Sequence, residues 1–153
     1  MWVPPEVKDP VVLQAPTRKT VSLFGAVNLH SGRLITMLVD PFDAVSFEAF
    51  LRLLLRHRRR TGRTAFILDN AAYHYGEPLE ELMARYEGRV WLDYLPPYSP
   101  KLNPIEHVWK LLKRLCTHNE YFPTLDALLD AVTQRLIEWY QPNDSLVRLC
   151  GIN

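Results

Sequence analysis

The stretch AFILDNAAYHY, Ala65–Tyr75, ends an apolar run in a carboxylate. Ala65 to Leu68 has the continuous apolar character of a strand covered on both faces, as in the middle of a parallel sheet. A charge at the end of such a strand costs folding free energy unless something pairs with it. Asp69, with Asn70 beside it and His74 five positions on, therefore has two explanations. Asp-Asn after a strand is ordinary turn chemistry, because both side chains hydrogen-bond the backbone that follows. The alternative is that the carboxylate faces a cation.

Working outward from this strand gives the fold class. "VVLQA" (11–15) is a candidate short strand, and residues 1–10, with three prolines, read as an extended lead-in. "TVSLFGAVNL" (20–29) and "RLITMLV" (33–39) are β-rich runs joined at His30-Ser31-Gly32, the pattern of a hairpin. A helix follows, capped by Ser46, with Phe47, Phe50, Leu51, Leu54 and Leu55 on one face. After the 64–69 strand, a second helix begins near Pro78 and buries Leu79, Leu82, Met83 and Tyr86. "RVWLDYL" (89–95) is the last strand, and "PPYSPKLNP", four prolines in nine residues, excludes regular structure. Two closing helices, about 104–117 and 125–140, carry the stripes Ile105/Val108/Trp109/Leu112 and Leu125/Leu128/Leu129/Val132/Leu136. Trp91 and Trp109 are assigned to the core. The order predicts an α/β sandwich whose later strands run parallel, with its site beyond the carboxyl ends of the strands.

Composition narrows the classes. With 153 residues, 48% hydrophobic and 23% charged, the chain suits one globular domain. A net charge of +1 gives no overall pull toward nucleic acid or membrane, so any such partner must be read from local clusters. No apolar run approaches a membrane span, and "MWVPPEVKDP" lacks the layout of a signal peptide. Cys116 and Cys150 form no Cys-x-x-Cys pair, which points to a reduced, cytoplasmic protein.

Glu106 is the second carboxylate of interest. Asn103, Pro104 and Glu106 have the spacing of a capping box, and Lys110 completes an i,i+4 pair, so helix-start chemistry alone accounts for it. Set beside Asp69, it suggests more. Carboxylates that converge raise each other's pKa unless a cation lies between them. Hard oxygen ligands open to solvent suit Mg²⁺ or Mn²⁺. Two such ions about 4 Å apart activate a water or hydroxyl and stabilise the leaving oxygen of an in-line phosphoryl transfer.

"ILDNAAYH" (67–74) followed by "YLPPYSPKLNPIEHVWKLLK" (94–113) closely resembles the catalytic domain of mariner-like transposases, above all their bacterial insertion-sequence relatives. "VSLFGAVNLHSGRL" (21–34) resembles the family's hairpin, and "FPTLDALLDAV" (122–132) its helix after the motif. The resemblance implies a single DDE endonuclease domain over 1–153, an RNase H-like mixed sheet flanked by helices. It implies DNA transposition: metal-dependent cleavage and strand transfer with Mg²⁺ or Mn²⁺, on transposon ends and target DNA. It matches Asp69 to the family's second catalytic aspartate and Glu106 to its third acid, both as metal ligands, with Asn70 and His74 as supporting residues. It also implies a homodimer working on paired ends, and no membrane partner.

One part of the pattern is absent. In the family, the first catalytic aspartate lies on a central strand upstream of a Trp-Pro segment that "MWVPP" resembles. The expectation is a domain lacking that strand, unless "VVLQA" or another chain takes its place. An upstream polypeptide is then expected to supply the first aspartate and the end-recognition domain. The alternative is a non-catalytic DNA- or protein-binding remnant. Asp9, Asp40 and Asp43 are more simply loop or helix-flanking charges than substitutes.

The remaining residues divide as follows. His74 is equally a polar loop residue or a group that helps to position substrate. "RHRRRTGR" (56–63) fits a helix C-terminus better than a phosphate grip. Lys101, Lys110, Lys113 and Arg114, around Glu106, are the DNA-binding candidates, although a solvated helix face accounts for much of that cluster. A zinc site from His74, Cys116 and His118 lacks the required spacing.

Overall fold

The computed structural model describes residues 11–14, 20–118 and 120–151, so Asp9, the rest of the lead-in and Ala15 lie outside the described residues. The chain forms two compact units, one from Val39–Asn103 and one from the segments that flank it in sequence. The fold is mixed α/β, with five α-helices among the described residues.

In the first unit, α1 (Ala44–His57) buries Phe47, Phe50, Leu51, Leu54 and Leu55, the stripe its sequence predicts. Its cap differs from the expectation. Asp43, not Ser46, is the N-cap: its carboxylate accepts from the Ser46 N–H at 2.7 Å, and the Ser46 hydroxyl accepts from the Asp43 N–H at 3.1 Å. Ser46 is thus the reciprocal member of a capping box, a role open to any hydroxyl three residues past a cap. This also holds the Asp43 carboxyl below its usual range, chiefly through the Ser46 N–H. β4 (Thr64–Leu68) and β5 (Val90–Tyr94) pair in parallel, with Thr64 opposite Val90 and Leu68 opposite Tyr94. α2 (Glu77–Ala84) is the crossover between them and buries Leu79 and Leu82; Met83 and Tyr86 are only half-buried.

Two expectations in this unit are corrected. β4 is not covered on both faces: Ala65 is exposed, and Phe66, Ile67 and Leu68 are half-buried. Its sheet has two strands, and among the described residues only β5 pairs with it. Trp91 is not core, being 44% exposed. Side chains alternate across a strand, so Val90 and Leu92 turn inward while Trp91 and Asp93 share the open face.

The second unit holds β1 (Val11–Gln14), β2 (Thr20–Val27) and β3 (Leu34–Val39) in that spatial order. β1 runs antiparallel to β2, Val11 opposite Leu23. The "VVLQA" segment therefore pairs with the hairpin rather than with β4, and among the described residues no strand joins the two sheets. α3 (Pro104–Cys116), α4 (Leu125–Trp139) and a further helix, α5 (Asp144–Cys150), complete it. α5 is a third closing helix where two were expected; at seven residues it is too short to show a clear stripe, and the Asn143 side chain caps it by accepting from the Ser145 and Leu146 N–H groups.

The core of this unit gathers Leu23 and Leu34 from the sheet, the Ile105/Val108/Trp109/Leu112 stripe of α3, and Leu128, Val132 and Leu146. Trp109, at 3% exposed, is core as expected. It lies against Gly25, where an added Cβ would come within 2.3 Å of its Cη2. Gly32, in the hairpin turn at φ +69°, sits against the Asn143 carbonyl, and the Asn143 N–H donates to the Ser31 carbonyl at 2.7 Å.

Candidate active site

The parallel pairing of β4 and β5 fixes where Asp69 stands. The Leu95 N–H donates to the Leu68 carbonyl at 2.7 Å, carrying the ladder one step past the last paired residues. Asp69 therefore emerges at the carboxyl end of β4, where α/β sheets carry their sites.

Five interactions close the loop that follows. The Ala71 N–H donates to the Asp69 Oδ1 at 3.0 Å, the local Asx turn that the Asp-Asn pair predicts. The Asn70 amide donates to the Leu95 carbonyl at 2.5 Å, and its Oδ1 accepts from the Tyr75 hydroxyl at 2.9 Å. One end of that amide ties the loop to the residue that follows β5 and the other closes the loop on itself. The Tyr75 ring stacks on Tyr94 with centroids 4.9 Å apart. The Tyr94 hydroxyl donates to the His74 carbonyl at 2.9 Å, and burial, then the neighbouring Tyr75, pushes its pKa up.

His74 is buried, 3% exposed. It occupies the short 3-10 turn Ala72–His74, and its ring lies 4.4 Å from that of Phe47 and 4.6 Å, edge-on, from that of Tyr73. Its Nδ1 is 2.9 Å from the Asp69 backbone oxygen and 3.0 Å from Asp69 Oδ1. A backbone carbonyl only accepts, so the proton is on Nδ1 and is donated to the Asp69 backbone oxygen, with Oδ1 in close contact beside it.

Glu106 belongs to the second unit, half-buried in the first turn of α3, directly after the buried Asn103 and Pro104. The buried face of α3 leaves Lys110, Lys113 and Arg114 outward and exposed, and with Thr117 and His118 they line one open depression. Lys101 is exposed in the short 3-10 turn Pro100–Leu102 of the first unit. Thr117 and His118 went unrecognised as members of the basic cluster, although their i,i+3 and i,i+4 spacing from Arg114 was the signal available. Tyr94 and Tyr75 were also missed; that Tyr94 ends its strand opposite Leu68 is a register fact with no local sequence signature.

Among the described residues no group of three His, Cys, Asp or Glu side chains is arranged to hold a metal. Asp69 by itself suits a hard divalent ion: it is an oxygen ligand at a strand end, with the Ala71 N–H and the His74 ring nitrogen set against one carboxylate oxygen.

Comparison with known proteins places these features in a family. Residues 1–129 match the DDE superfamily endonuclease family. An uncharacterized protein of Sinorhizobium fredii (strain NBRC 101917 / NGR234) is 28% identical over 130 residues, covering 85% of this chain and 90% of that protein. The crystal structure of the catalytic domain of Mos1 mariner transposase superposes with a TM-score of 0.69 at 20% identity, over 93% of this chain and 72% of that one. A structure of that catalytic domain with raltegravir and Mn gives a TM-score of 0.68 at 20% identity, over 93% and 73%. The Mos1 strand transfer complex gives 0.65 at 20% identity, over 90% and 41%.

Proposed function

The chain belongs to the DDE superfamily endonucleases, and on that premise we infer that it is a transposase catalytic domain that cuts DNA and joins the cut end to a target. The observation that carries this is the placement of Asp69 at the carboxyl end of a parallel strand, its carboxylate accepting from the Ala71 N–H with His74 Nδ1 3.0 Å away. Asp69 and Glu106 are the proposed ligands of a divalent ion, Mg²⁺ or Mn²⁺. Such an ion, when bound, supplies activation of a water or 3′-hydroxyl and stabilises the oxygen that leaves phosphorus. The chain's own residues hold the carboxylate and grip DNA. Lys110, Lys113 and Arg114 face phosphates from α3, with Lys101 as a further contact.

The third acid is proposed to come from an upstream polypeptide whose strand lies along the edge of β4 that no described strand pairs with. Two copies acting on paired ends, in the cytoplasm, complete the proposal; no helix among the described residues is long and apolar enough to cross a membrane.

The test is cleavage of a plasmid carrying the DNA that flanks the reading frame, in Mn²⁺, by this chain alone and by the chain joined to the upstream polypeptide. The extended form is expected to cut, and Asp69→Ala or Glu106→Ala to abolish cutting. Cleavage that survives Asp69→Ala overturns the assignment. A second function, a DNA- or protein-binding remnant without catalysis, is favoured by the lack of a three-ligand cluster among the described residues. DNA binding without cleavage by the extended form would establish it.

A further inference from the structure

We propose that His74 is the positioning residue of Asp69: its Nδ1–H holds the Asp69 backbone oxygen and its ring nitrogen lies against the carboxylate, setting it in the orientation that metal binding requires. The proposal rests on Asp69 being a metal ligand. Its geometry stands independently, because the residue is anchored through its backbone and its ring. The His74 N–H donates to the Ala71 carbonyl at 3.0 Å and its own carbonyl accepts from the Tyr94 hydroxyl, so the backbone on both sides of the residue is fixed. The ring is buried in contact with Phe47 and Tyr73.

The ring nitrogen does two things. At the Asp69 backbone oxygen its N–H satisfies an acceptor at the point where the chain leaves β4. It also lies 3.0 Å from Oδ1, the oxygen that accepts from the Ala71 N–H, so two fixed nitrogens meet one carboxylate oxygen. An aspartate side chain has two free torsions, and two fixed contacts on one oxygen restrict both. A carboxylate at a strand end would otherwise sample several rotamers and lose affinity for an ion by the cost of ordering. Groups that orient a metal ligand in this way typically contribute 10- to 100-fold in affinity, and a comparable loss, about 10- to 100-fold, is expected here.

Two substitutions separate positioning from packing. His74→Asn keeps an N–H near the place of Nδ1 but leaves space between Phe47 and Tyr73. His74→Phe fills the space and has no N–H. Melting is expected to rank phenylalanine above asparagine, while Mn²⁺ affinity, read from the EPR signal of free Mn²⁺, is expected to rank asparagine above phenylalanine. Ranks that agree in both measurements would mean a purely structural histidine and overturn the proposal. Asp69→Asn is the control. If it binds Mn²⁺ as well as the unsubstituted chain, the ligand assignment of Asp69 fails; if it loses Mn²⁺ while His74→Phe retains it, only the positioning role fails. The hydrogen bond is judged without any metal by long-range ¹H–¹⁵N spectra of the ¹⁵N-histidine-labelled chain. A proton on the Nδ1 of His74 is expected, and a bare Nδ1 overturns the proposal.

Discussion

The Tyr94 hydroxyl donates to the His74 carbonyl at 2.9 Å across 20 residues of sequence, so the end of β5 holds the turn that carries the histidine. Parallel register brings this about: Tyr94 lies opposite Leu68, and the chain leaving Leu68 must pass the ring. The loop after Asp69 is therefore positioned by its neighbouring strand as much as by its own turn chemistry.

Tyr94→Phe removes that hydroxyl and leaves the ring stack on Tyr75 intact. A net loss of about 1 kcal/mol is expected at neutral pH from the deleted hydrogen bond. The Tyr94 pKa is raised above 10.0 by burial and then by Tyr75, so the folded state holds this proton more tightly than the unfolded chain. Its contribution is complete below pH 10 and declines as pH rises from there through the folded-state pKa. Urea denaturation across pH 8–12 should show a shallower alkaline decline in the variant.

Gly32→Ala and Gly62→Ala separate steric contact from backbone strain. Both glycines have positive φ, +69° and +91°, but a Cβ at Gly32 would lie 1.9 Å from the Asn143 carbonyl oxygen whereas one at Gly62 meets nothing within 4 Å. The Gly62 variant is expected to lose about 1–2 kcal/mol from the left-handed conformation alone. The Gly32 variant should lose clearly more, because the turn must separate from the Asn143 backbone. Equal losses in chemical denaturation would discount the contact.

Gly25→Ala drives a methyl into the Trp109 ring, whose Cη2 and Cζ2 lie 2.3 and 2.4 Å from the new atom. Trp109 is fixed in the core of its unit, so a cost of about 1–3 kcal/mol is expected from overpacking. Indole fluorescence should report the displaced ring. An unshifted emission maximum together with an unchanged melting point would count against this packing.

Burial raises the pKa of both thiols, Cys116 and Cys150, and both are buried. Thiolate is the reactive form, so alkylation at neutral pH should be slow in the native protein and fast once urea unfolds it. Counting modified thiols against time by mass spectrometry checks this; rapid native labelling of either would contradict its burial.

Lys113→Ala should weaken DNA binding by a similar factor for every sequence. It should also reduce the slope of log K against log salt by about one, as expected for a single phosphate contact. A fluorescence-anisotropy titration at several salt concentrations measures both. An unchanged slope would leave Lys113 as a solvated residue of the exposed face of α3.

The sequence alone determined the elements whose cause is local. The stripe of α1 and the Trp109 face of α3 follow from 3.6-residue periodicity, the Asx turn at Asp69 from side chains that reach only their own backbone, and the family from the long motifs around Asp69 and Glu106. The tertiary structure decided whatever depends on pairing between distant segments. It put Trp91 on the open face of β5, left β4 half-covered, and paired Val11–Gln14 with β2. It also buried His74 between Phe47 and Tyr73 and aimed its Nδ1–H at Asp69. The physical reason is the range of the forces involved. Helix periodicity and turn hydrogen bonds act over a few residues and are written in the local chain. The burial of one face, the register of a strand and the orientation of a ring depend on neighbours brought together only by the completed fold.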